Sequence, residues 1–121
     1  MEYSVDQHDL IISIENLLKE INNINHFGDF DNKIVECYNL GVKLNLDYKK
    51  CYGCENQLLV QVMNILRAFI IDKKNAKQRC AYLLGITKDN LTSVIYNIKF
   101  QEFEVSDNSI KTNLNSCCFL L

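Results

Sequence analysis

Apolar residues recur at helical spacing along most of the chain. Leu10, Ile14, Leu17, Ile21 and Ile24 follow one another in steps of four and three, with Ile11 and Leu18 widening the stripe, which predicts a helix over about residues 5–25. Ser4-Val5-Asp6-Gln7 ahead of it has the Ser-x-x-Gln form of a capping box. If Ile14 and Ile21 are heptad a positions, Leu10, Leu17 and Ile24 are d positions, and the helix is the candidate seam of a parallel homodimer. The competing reading makes it one helix of a monomer core. A second helix is expected over residues 31–41, capped by Asp29 or Asp31, with Ile34, Val35, Tyr38 and Leu40 inward and Gly41 as its terminator. Residues 45–56 read as an irregular region. A third helix, over residues 57–72, carries Leu58, Val62, Ile65, Leu66, Phe69 and Ile70 on a broad apolar face.

Residues 77–98 fit a more specific unit, a helix-turn-helix. Ala81 stands where the second helix would cross the first closely, and Gly85, four positions on, can supply a positive φ at the turn. Cys80, Ala81, Leu84, Ile86, Leu91 and Val94 fill the six core positions, Asn75 can cap the first helix, and Thr87 can cap the second. Lys88, Asp89, Asn90, Thr92, Ser93 and Asn97 then lie on a short polar outer face, as on a helix that reads a major groove. Farther on, residues 103–105 and 110–112 could pair as a short C-terminal β-hairpin resembling a wing.

Composition sharpens this picture at two points. The 121 residues contain no proline, which with the periodic runs favours an all-α chain of about five helices in a single domain. The formal net charge of −2 conceals a partition. Residues 1–66 hold five lysines against ten acidic residues and read as an acidic scaffold or dimerisation part. Residues 67–99 hold seven basic residues against Asp72 and Asp89, and residues 100–121 form a tail of net −2. The positive segment coincides with the expected reading unit, where phosphate contacts would be needed.

Other chemistry is sparse. No apolar run reaches the roughly 18 residues needed to span a bilayer, and the N-terminal residues are acidic where a secretory leader would be basic, so a cytoplasmic location with reduced thiols is expected. Cys51-Tyr52-Gly53-Cys54 is a lone CxxC, which can be a redox pair or half of a zinc site; a loop with two incidental thiols is the preferred reading, and no cofactor is expected. Cys118-Phe119-Leu120-Leu121 fits the form of a prenylation signal but lacks a polybasic flank, so an apolar tail folded on the core is preferred. His8 and His26 are the only histidines, and no nucleophile–base or paired-carboxylate pattern stands out, which argues against an enzyme.

Residues 66–105 resemble the PapB-like regulators of fimbrial (adhesin) operons. The likeness lies in an apolar helix ending at Ile70-Ile71, a short linker, a basic start to the next helix at Lys77, Cys80 within it and a second helix after Gly85. The resemblance implies an oligomeric DNA-binding transcriptional regulator, with Lys77, Arg79 and the residues 87–97 helix touching DNA. Together these expectations describe a small, dimeric, double-stranded-DNA-binding regulator. In it Lys73, Lys74, Lys77 and Arg79 grip phosphates while Thr87, Lys88, Asn90, Thr92, Ser93 and Asn97 face the groove. The alternative is a non-enzymatic helical protein-interaction module acting through the acidic N-terminal half.

Overall fold

The computed structural model describes residues 6–24 and 29–115, with side chains as far as residue 100. All regular structure among them is helical: α1 (Gln7–Asn22), α2 (Phe30–Tyr52), α3 (Gln57–Ile71), α4 (Lys73–Gln78) and α5 (Cys80–Asn115). Among the described residues α1 packs on α2, α2 on α3, α3 on α5, and α5 back on α1, and the diagonal helices do not approach one another at the backbone. The four longer helices thus close a ring, and α4 is a short connector against α3 and α5. Neighbours run antiparallel: Asn45 of α2 donates its amide to the Leu59 carbonyl at the start of α3, while Phe30 at the start of α2 meets Phe69 near the end of α3, edge to face at 5.9 Å. No helix among the described residues is long and apolar enough to cross a membrane.

The α1 stripe is buried as expected. Leu10, Ile14, Leu17 and Ile21 all face the bundle's own core. The heptad positions offered as a homodimer seam are therefore consumed within the chain, because α2 and α5 flank this face on either side. The cap is Asp6, whose carboxylate accepts from the Asp9 amide at 2.7 Å. Ser4 of the expected capping box lies outside the described residues, as do His26 and the C-terminal Cys118.

Helix α2 does not stop at Gly41. It runs eleven residues further, to Tyr52. Gly41 is buried on the α3 side, where a Cβ would lie an ordinary van der Waals distance, 3.8 Å, from the Leu66 side chain, and it lies within the helix and does not terminate it. Gly53 is the stop, with φ 82° and its amide bonded to the Lys49 carbonyl at 2.7 Å. Most of the stretch expected to be irregular is thus helix. It supplies Leu44 and Tyr48 to the core, while Val35 and Leu40 face outward. Asn56, nearly fully buried, opens α3 by accepting from the Leu58 and Leu59 amides at 2.8 and 3.2 Å.

The turn expected at Gly85-Ile86 is absent. The backbone is helical from Cys80 through Asn115, and among the described residues only Gly53 has positive φ. The cause is the periodicity itself. Cys80, Leu84, Thr87, Leu91, Val94 and Ile98 continue the core stripe in steps of four and three straight across Gly85, so bending there would expose half of it. Thr87 caps nothing. It is fully buried, and its hydroxyl donates back to the Leu83 carbonyl at 2.9 Å. Asn75 likewise lies within α4, its amide donating to the Asp72 carboxylate. The residues expected to form a C-terminal hairpin fall in a stretch that runs as helix.

Candidate functional site

The residues expected to bind DNA separate into two groups. Around α4, Asp31 at the start of α2 gathers two of the four phosphate-gripping cations: Lys73 hydrogen-bonds its carboxylate, and Lys77 stands at 3.9 Å. Lys77 also lies over the Phe30 ring, 4.6 Å from its centre. The Lys73 hydrogen bond holds the Asp31 carboxyl below the usual carboxylate range, with the charges of Lys73 and Lys77 adding to it. Lys74 is exposed, and Arg79 stacks over the Tyr82 ring at 5.1 Å. Half of the positive cluster is thus engaged in joining α2 to α4.

Along α5 the expected base-probing residues are spread around the helix. Thr87 is buried, and Asn90 is turned to α3, donating to the Gln61 side chain at 2.6 Å and to the Leu58 carbonyl at 3.5 Å. Lys88, two residues from Asn90, projects about 160° away and is half-buried. Thr92 and Ser93 are exposed and Asn97 is half-buried. A continuous helix therefore does not present these side chains as one reading face.

What α5 does present is a second stripe. Tyr82, Ile86, Asp89, Ser93, Tyr96 and Phe100 follow in steps of four, three, four, three and four, within about 40° of one line on the helix. This line is two residues out of phase with the core stripe and so points away from the bundle. Tyr82 is 59% exposed, Tyr96 69% and Phe100 43%. A turn at Gly85 would place Tyr82 and Tyr96 on different helices, which is why the expected helix-turn-helix hides their alignment. Counting by fours and threes from Tyr82 is the sequence signal that finds them.

Elsewhere the chemistry is subdued. The open cleft between α1 and α2, of about 710 Å³, is lined by Asn16, Lys19, Glu20, Lys33, Glu36 and neighbouring residues. There Lys33 pairs with Glu20 at 3.4 Å and Glu36 at 3.8 Å, so its charges largely answer one another. Burial pushes the Cys37 thiol up to about 11 and raises that of Cys80, which moves both away from the reactive thiolate. Cys51 lies in the last turn of α2 and Cys54, just past its end, is disulfide-bonded, which corrects the expectation of two incidental reduced thiols in a loop; among the described residues no three potential ligands converge on a metal-sized site.

Comparison with protein-family models, curated proteins and solved structures finds no match to the chain. The fold itself defines its class: an antiparallel helical bundle whose last long helix closes the core with one face and turns to solvent an opposite stripe that is aromatic at its ends and polar at its centre.

Proposed function

We propose that the chain is a non-enzymatic helical module that works by binding protein, and that the solvent stripe of α5 is its working surface. The observation that carries this reading is the alignment of Tyr82, Tyr96 and Phe100, all substantially exposed, on one line of a helix whose opposite side is fully committed to the core. Aromatic side chains offer large contact area at low entropic cost and are enriched where proteins meet. The acidic N-terminal half fits that role less well. Glu20, Asp31, Glu36 and Asp47 are already paired with Lys33, Lys73 or Lys43 within the chain.

The test places a photo-crosslinking amino acid at Tyr96 and, as control, at exposed Asn39 in the cleft between α1 and α2, and measures retention of the unmodified chain on DNA-cellulose at physiological salt. A discrete protein adduct from position 96 alone, with no retention on DNA, is the expected result. Retention on DNA that disappears with Lys74→Ala and Arg79→Ala, with no adduct at 96, would instead return the chain to the gene-regulator reading, with those exposed cations as phosphate contacts.

A further inference from the structure

We infer that the partner seated on the α5 stripe is a second copy of this chain, its α5 antiparallel to the first about a two-fold axis near residue 91. The inference rests on the reading of this face as a docking surface and adds the identity of the occupant.

The argument begins with the order of side chains along the stripe. Tyr82 and Ile86 are apolar, Asp89 and Ser93 polar, Tyr96 and Phe100 aromatic. That order is the same from either end. An isologous antiparallel pair demands such symmetry, since each position meets its mirror position, whereas a different partner imposes no such constraint. In this register Tyr82 meets the partner's Phe100, Ile86 meets the partner's Tyr96, and Asp89 meets the partner's Ser93. Each carboxylate then faces a hydroxyl that can donate to it, so the two polar positions answer each other at the centre and aromatic contact closes both ends.

The flanks agree. On one side Gly85 comes opposite the partner's Lys99, and nothing lies within 4 Å of where a Gly85 Cβ would be, which leaves room for the lysine stem. Thr92 on that side meets its own counterpart. No cation of the described part of α5 is set against a cation, nor Asp89 directly against another carboxylate.

Size sets the strength. The stripe runs from Tyr82 to Phe100, 18 helical rises or about 27 Å, and pairing two such faces buries on the order of 1,000 Å² in total, at the low end for a specific interface. The dimer should therefore be weak and form with rising concentration.

Sedimentation equilibrium from about 1 μM to 1 mM, affinities of micromolar order being the expectation for so small an interface, tests this with three exposed-site variants whose folding is checked by thermal melting. The parent chain should pass from monomer to dimer across the range. Ser93→Asp sets carboxylate against carboxylate twice and should weaken association at least about tenfold. Asp89→Ser, which removes the carboxylate, should leave the dimer; the double variant Asp89→Ser/Ser93→Asp restores the original pairing in reverse order and should return the affinity to near the parent value. A chain that stays monomeric throughout overturns the second-copy inference, and an adduct from Tyr96 to some other protein would then leave the interaction reading standing. Association that the double variant fails to restore overturns the antiparallel register.

Discussion

Cys37 lies at the meeting of α1 and α2 with no exposed surface, and burial is the main reason its thiol is pushed up to about 11 from an ordinary value of 9.0. The carboxylates of Glu20 and Glu36 push in the same direction, and Lys33 opposes them. The folded chain thus holds this proton where the unfolded chain releases it. The stabilising contribution is complete below pH 9.0 and is lost progressively as pH climbs to about 11. A displacement of this size corresponds to on the order of 3 kcal/mol. Burial raises Tyr48 and Cys80 too, so the parent melting temperature reports several groups at once. Comparing it with Cys37→Ala between pH 8 and 11 isolates the thiol: the variant should start lower, having lost packing, and fall less steeply. Parallel slopes would show that the Cys37 thiol is not held protonated by the fold.

At the scale of elements, three glycines separate what can be read in the chain from what cannot. The stripes of α1 and α3 are legible because each carries a strong apolar period; the caps that bound them, Asp6 in place of the expected Ser4 and Asn56 where none is expected, are not. At Gly41 and Gly85 the same local logic misleads. Glycine signals a helix end only if the backbone there turns left-handed, and that depends on what packs around it. Gly41 and Gly85 each sit in a helix whose core stripe continues past them. With a turn at Gly85, the polar residues after it look like a free reading face, although Asn90 is bound to α3. The candidate surface on α5 is hidden by the same step. Substitution distinguishes the roles. Gly85→Ala fills open space within a helix and should raise stability by about 0.5–1 kcal/mol. Gly53→Ala, at φ 82°, should lower it by about 1 kcal/mol. Urea denaturation measures both, and destabilisation by Gly85→Ala would mean that the backbone turns there after all.

For the whole molecule the consequence of a closed ring is that elements without mutual contact depend on each other. Among the described residues the backbone of α1 comes close to α2 and α5 but not to α3, yet all contribute to one connected core. The opposite charges of the chain's two parts work in the same sense, since Asp31 of the acidic part reaches Lys73 and Lys77 of the basic part. Ile14 has no exposed surface and sits in the middle of the α1 stripe. Ile14→Ala removes packing on two neighbours at once and should cost about 2–5 kcal/mol, a large share of the roughly 5–15 kcal/mol that usually holds a domain together. If the ring unfolds as one unit, the denaturation midpoint falls with the slope unchanged. Amide exchange then speeds up by a similar factor in α1 and in the slowest amides of α3, although the α3 backbone does not approach that of α1. Faster exchange confined to α1 and its two neighbours would instead show that α2, α3 and α5 hold together without it.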